Sequence, residues 1–215
     1  MARVDPRAGG KRMADQMEFF EAVKDDNVAA VRSYIDDGND VDAQVPEGVS
    51  NFVCGVTALM IAALNNRFDL AKLLVDAGAN VDVQASNGLT ALSAASAEGY
   101  TDIVKLLIEA NAELDAKDGV NLWTPLMDAS GEGQLAAVRL LIEAGADVDS
   151  TDKWGRTALI IAVERGFSTI ARALIDANAD VNVVILPYGI SALERARVKG
   201  HSDIARMLEV AGAEA

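Results

Sequence analysis

The chain holds one cysteine and one histidine in 215 residues, and each scarcity closes a line of function. Cys54 has no second cysteine to pair with, so no internal disulfide framework can form. It also has no adjacent histidine to draw off its proton, which makes it a poor nucleophile. His201 alone cannot build a histidine-based metal site or a His-centred catalytic constellation. A phosphate-cradling loop is missing too: Gly9-Gly10-Lys11 lacks both the preceding strand and the spacing. The acidic stretch through Asp36, Asp40, Asp42 and Glu47 fails as a calcium loop. It has Gly38 at its third position and Val41 where the sharp-turn glycine belongs. The chain therefore reads as a non-enzyme, with no catalytic residue, no cofactor and no metal.

Long apolar runs are lacking as well, so no segment reads as a membrane span. Residues 1–15 contain no apolar stretch of the kind a secretory signal needs. They carry Arg3, Arg7, Lys11 and Arg12 around Gly9 and Gly10, and read as a disordered tail or a cloning remnant. A cytoplasmic protein is expected, or a periplasmic or secreted one if that remnant replaces a signal peptide. Positive charge is the last shortage. Lys and Arg number 19 against 33 Asp and Glu, a formal net charge of −14. Residues 1–15 hold four basic and two acidic side chains, so the rest of the chain carries −16. That argues against nucleic acid and anionic membranes as partners. It favours a protein partner with a basic or apolar patch, since opposite charge steers encounter.

What the sequence has is a period. Thr57-Ala58-Leu59-Met60 returns as Thr90-Ala91-Leu92-Ser93, Thr124-Pro125-Leu126-Met127, Thr157-Ala158-Leu159-Ile160 and Ser191-Ala192-Leu193-Glu194. The first residues are 33, 34, 33 and 34 positions apart. Leu73-Leu74-Val75-Asp76-Ala77-Gly78-Ala79 recurs in the same rhythm, for example as Leu140-Leu141-Ile142-Glu143-Ala144-Gly145-Ala146. A fixed period of this size means stacked repeats, each unable to bury its apolar face alone. The physics of one unit is readable. A Thr hydroxyl can satisfy an orphan N–H where the first helix begins. Pro125 suits a first helical position, which has no use for its missing donor. Small residues such as Ala62, Ala63, Ala94 and Ala95 let first helices pack closely. Larger ones at helical spacing, Ile103, Leu106 and Leu107 among them, make the second helix the core filler. Leu106 and Leu140 are expected in the core on this reading. Gly38, Gly78, Gly145, Gly212, Asn111 and Asn178 stand where a left-handed C-cap is needed.

These motifs resemble the ankyrin repeat, from about Gln16 to Ala213. The resemblance implies an all-α repeat solenoid, each unit a helix–turn–helix followed by a β-turn finger. About six units are expected. Residues 16–43 form an N-cap repeat, 44–83, 84–116, 117–150 and 151–183 are internal repeats, and 184–215 form a C-cap repeat. All belong to a single domain spanning 16–215. His201 after Gly200 sits where the family often carries Gly-His, a structural turn. Asp42, Asp82, Asp115 and Asp149 recur once per repeat, the mark of structural turn residues. Where the family's start motif carries a histidine that links neighbouring repeats, this chain has Met60, Ser93, Met127, Ile160 and Glu194. The inter-repeat link is therefore expected to be apolar or absent.

The finger tips carry the functional reading. Eight positions separate Asp82 from Thr90 and Asp149 from Thr157; nine separate Asp115 from Thr124 and Asn182 from Ser191. Fifteen separate Asp42 from Thr57, an insertion of about seven residues within Val45–Gly55. Insertions in such repeats map to loops, often on the binding face. Apolar residues gather at the tips: Phe52, Val53, Leu89, Leu122, Trp123, Trp154, Leu186 and Tyr188. Aromatic residues are enriched at binding hot spots, and the resemblance places tips and first helices on one concave face. These eight are the candidate partner-binding residues. The expected function is a scaffold, monomeric when free, that binds a protein through that face. The alternatives are an inhibitor or immunity protein covering a partner enzyme's active site, and a structural oligomerisation module.

Overall fold

The structure, a computed structural model, describes residues 6–48, 53–185, 187 and 189–214. The chain divides after Ala91 into two compact units. The first carries α1 (Pro6–Lys24), α2 (Val28–Asp36), α3 (Ala58–Leu64) and α4 (Phe68–Asp76). The boundary falls at the first residue of α5 (Ala91–Glu98). The second unit continues with α6 (Thr101–Glu109), α7 (Pro125–Gly131), α8 (Leu135–Ala144), α9 (Ala158–Arg165) and α10 (Ser168–Asp176). A short antiparallel hairpin follows, β1 (Val184–Ile185) with β2 (Ile190–Ser191), pairing Val184 with Ser191 and Ile185 with Ile190. Helices α11 (Ala192–Lys199) and α12 (Ser202–Val210) complete it. Among the described residues the helices come in six pairs, one per expected repeat. α1 begins at Pro6, so residues 6–15 are part of that helix.

The helix starts behave as local chemistry requires. Thr57, Thr124 and Thr157 are extended, and the Oγ1 of each accepts from the N–H of Met60, Met127 and Ile160, all at 3.4 Å. Ser191 and Glu194 form a reciprocal capping box. Losing such a cap costs about 1 kcal/mol. At the other ends, Gly38, Gly78, Asn111, Gly145, Asn178 and Gly212 all take positive φ.

The core is one layer of small residues against one of branched ones. Ala62, Ala63, Ala95, Ala129 and Ala162 are fully buried in the first helices. Leu74, Leu107, Leu141, Leu174 and Leu208, one in each second helix from α4 onward, are also fully buried. This corrects the expected register: Leu106 and Leu140 are only half-buried, while the leucine after each is sealed. Helix α6 turns Ile103, Val104 and Leu107 inward, and that stripe leaves Leu106 on its border.

The link between repeats is neither apolar nor absent. Within each unit a side chain at one finger accepts the backbone N–H at the base of the next. Asp42 accepts from Asn80, Asp115 from Asp147, Asp149 from Asp180, and Asn182 from Glu214, at 2.8–3.0 Å. The residue supplying that N–H uses its own side chain to accept the N–H two positions on, as Asn80, Asp147 and Asp180 do. Polar groups outside the start motif therefore do the linking that its histidine was expected to do. The last repeat is closed by polarity. Buried Ile160, Ile161 and Val163 of α9 are replaced by Glu194, Arg195 and Arg197 at the matching positions of α11.

Candidate protein-binding site

The fingers between Asp115 and Thr124, and between Asp149 and Thr157, are built alike up to their tips. In the fifth repeat Asp152 donates its N–H to the carbonyl of Arg156, closing a tight turn. In the fourth, Asp118 donates to the carbonyl of Trp123, one residue further. The extra residue is absorbed at Leu122, which adopts φ +61°. Two positions before each helix start the other fingers carry Gly55, Gly88, Gly155 and Gly189, all at positive φ. Leu122 thus occupies the glycine position of the repeat. A left-handed backbone costs a residue with a Cβ roughly 1–2 kcal/mol. The Oδ1 of Asp118 holds the turn by accepting the N–H groups of Val120, Asn121 and Leu122. Val120 and Leu122 remain exposed.

The two tryptophans meet different fates. The Trp123 side chain is half-buried, and its ring lies over Gly131, where an added Cβ would come within 3.1 Å of it. Its Nε1 donates to Asp152 Oδ2 at 3.3 Å. Trp154 is 41% exposed. Its ring is flanked by Lys153, whose Nζ is 4.3 Å from the ring centre, and by the Arg156 guanidinium at 4.6 Å. Both cations are tethered. Lys153 Nζ donates to the Val120 carbonyl at 2.9 Å, and Arg156 pairs with Asp152 at 2.8 Å.

Asp152 is the hub. It is buried, and beside the indole it accepts the N–H groups of Trp154 and Arg156 and the Arg156 Nε. Arg156 then reaches Glu164 on α9 at 3.0 Å, and Glu164 is held in turn by Arg195 of α11. One chain of hydrogen bonds thus runs from Trp123 of the fourth repeat through charged groups of the fifth to Arg195 of the sixth. Neither Asp152 nor Arg156 was among the expected functional residues. Recurrence is a signal that could have found Asp152, since Asp118 and Asp152 hold matching finger positions; Arg156 has no such counterpart.

Asp128 stands on α7 (Pro125–Gly131), close to Asp118 and Glu132. Its carboxyl accepts no hydrogen bond from the described residues. Enclosure, with Asp118 and Glu132 nearby, pushes its pKa up to about 8. At pH 7 that favours the protonated form.

The remaining expected residues are scattered. Leu89 is half-buried, and its finger is closed by Ala85 donating to the Leu89 carbonyl. Val53 is exposed at the end of the insertion. The base of that insertion is a short antiparallel pairing of Gln44 with Thr57, and Ser86 of the next finger donates twice to the Cys54 carbonyl. Phe52, Leu186 and Tyr188 lie outside the described residues. Among the described residues no group of three or more His, Cys, Asp or Glu is placed to hold a metal ion, and no helix is long and apolar enough to cross a membrane.

Paired helices, capped by threonine and joined by turn fingers in a 33–34-residue rhythm, define a helical repeat protein. A family model described as ankyrin repeats (3 copies) matches residues 19–118 and 126–214. The chain belongs to the ankyrin repeat family. Ankyrin repeats are in general protein–protein interaction modules and typically not enzymes. No curated protein matches the chain.

Proposed function

We propose that the chain is a non-enzymatic binding module whose second unit offers an apolar finger-tip patch, Val120, Leu122 and Trp154, edged by carboxylates. Its partner is a protein carrying a basic and apolar segment. Leu122 carries this reading. Strain of about 1–2 kcal/mol is kept where four sister fingers use glycine, and the side chain it buys points no stability inward, being 43% exposed. Strain of that kind collects at functional sites. Trp154 supports it as an anchor: Lys153 and Arg156 fix its ring, so little freedom is lost on binding. Asp118 and Glu132, both close to Asp128, supply carboxylates for a partner's Lys or Arg, whose approach would also favour the ionised form of Asp128. Trp123 serves this patch by positioning it. Val53 and Leu89 are secondary apolar contacts, and Phe52, Leu186 and Tyr188 join them on their place in the sequence alone.

The test is comparative capture from the native host. Wild-type protein is set beside Leu122→Gly with Trp154→Ala, two changes at exposed side chains that leave the melting temperature within a few degrees. A protein retained by the wild type and lost by the double variant supports the patch. Equal capture of the same proteins by both would remove it. An activity assay on the captured protein then separates a scaffold from an inhibitor.

A further inference from the structure

The second helices carry a cation at one repeat position and an acid four residues on. Arg32 precedes Asp36, Lys72 precedes Asp76, Lys105 precedes Glu109, Arg139 precedes Glu143, and Arg172 precedes Asp176. Lys72 and Asp76 are ion-paired at 2.9 Å. Only the last repeat breaks the pattern, with Arg206 followed by Val210. A carboxylate at this place offsets the neighbouring cation and repels an incoming acid. Val210 does neither, and it is 85% exposed. Beside it a groove of about 310 Å³ runs between α10 and α12, with Ile175, Met207 and Ala211 as apolar lining and Arg172 and Arg206 at its sides. A second groove, of about 250 Å³, shares Arg172 and Met207 and adds Arg139. Among the described residues none of these three guanidiniums is ion-paired. The carboxylates lining the two grooves are Asp176 and Asp203.

We propose that this groove on α10 and α12 is a second docking surface, for an acidic amphipathic segment of a protein that seats an apolar side chain on Val210 and Met207 and its carboxylates on Arg172 and Arg206. The complementarity is local. The 33 acidic side chains of the whole chain would repel such a segment at low salt, but screening over about 8 Å at physiological ionic strength leaves the two arginines in control. This surface lies on second helices, apart from the finger tips, and stands without them.

The probe is a synthetic fifteen-residue helical peptide of Glu and Leu, titrated at physiological salt into isotopically labelled protein, with backbone amide shifts as the readout. Controls are the same peptide with Gln for every Glu, and a single-stranded oligonucleotide. Shifts confined to α10 and α12, at least tenfold weaker binding of the Gln peptide, and at least tenfold weaker binding to Val210→Glu are expected. Val210→Glu only restores the residue type of the other repeats, so its melting temperature should hold; Arg206→Gln is the companion variant should it not. No binding of the Glu peptide, equal binding of the Gln peptide, unchanged affinity in both variants, or shifts at the fingers would each overturn the proposal. Tighter binding of the oligonucleotide at the same residues would overturn the choice of a protein segment.

Discussion

The fourth and fifth fingers differ by one residue and put the same side chain to opposite uses. In the fifth, Gly155 makes the left-handed turn, the loop closes between Asp152 and Arg156, and Trp154 is left outside. In the fourth, the extra residue moves the closure to Trp123, and the ring folds over Gly131 with its N–H on Asp152. A tryptophan at a tip is therefore not a contact residue by virtue of its type. The turn's length decides whether it faces the next finger or solvent. Placement alone treated Trp123 and Trp154 as a matched pair; the geometry makes one a support and leaves the other exposed.

Removing the shared hub should erase the contrast most completely. Asp152→Ala strands the Trp123 N–H and leaves Arg156 with Glu164 as its remaining acid, and loss of one partner from such a buried network costs about 3 kcal/mol, the low end for a buried pair. Urea unfolding checks it, and a loss below about 0.5 kcal/mol, the scale of an ordinary surface change, would deny Asp152 its role. Trp123→Ala should follow at about 2 kcal/mol, less than a fully buried tryptophan because the ring is half-buried.

Asp128 sharpens the comparison from the acidic side. Its folded pKa of about 8 lies above the unfolded value of 3.8. The folded state therefore holds a proton that the unfolded state has released, and stability falls as pH rises between those values. Asp128→Asn should match the wild type near pH 4 and exceed it above pH 8, by on the order of 2 kcal/mol after allowance for partial exposure. Parallel stability curves across that range would show the carboxyl to be solvated.

The smallest stability effects belong to the proposed contacts. Leu122→Gly should leave stability equal or up to about 1 kcal/mol higher, since relieved strain competes with the added freedom of glycine in the unfolded chain. A clear loss would mean that Leu122 packs inward. Trp154→Ala should shift stability by no more than about 0.5 kcal/mol while weakening partner binding by about 2 kcal/mol. If it melts as Trp123→Ala does, the two fingers are equivalent after all.

The sequence by itself determined the repeat. Thr57, Thr124 and Thr157 cap helices through bonds three residues long, and Gly78, Asn111 and Gly145 end them through their own backbone angles. Signals of that kind are local, so a linear reading finds them. Recurrence also exposed the structural character of Asp42, Asp115 and Asp149, though not the N–H groups 31–38 positions away that they accept. Choosing Leu107 over Leu106 needed the direction in which α6 faces its neighbours, because two adjacent leucines are alike until something covers one of them. The fates of Trp123 and Trp154, and the run from Asp152 through Arg156 and Glu164 to Arg195, were decided only in the tertiary structure. Trp123 reaches Asp152, Lys153 reaches the Val120 carbonyl and Arg195 reaches Glu164 across successive repeats, and stacking, not local preference, brings them there.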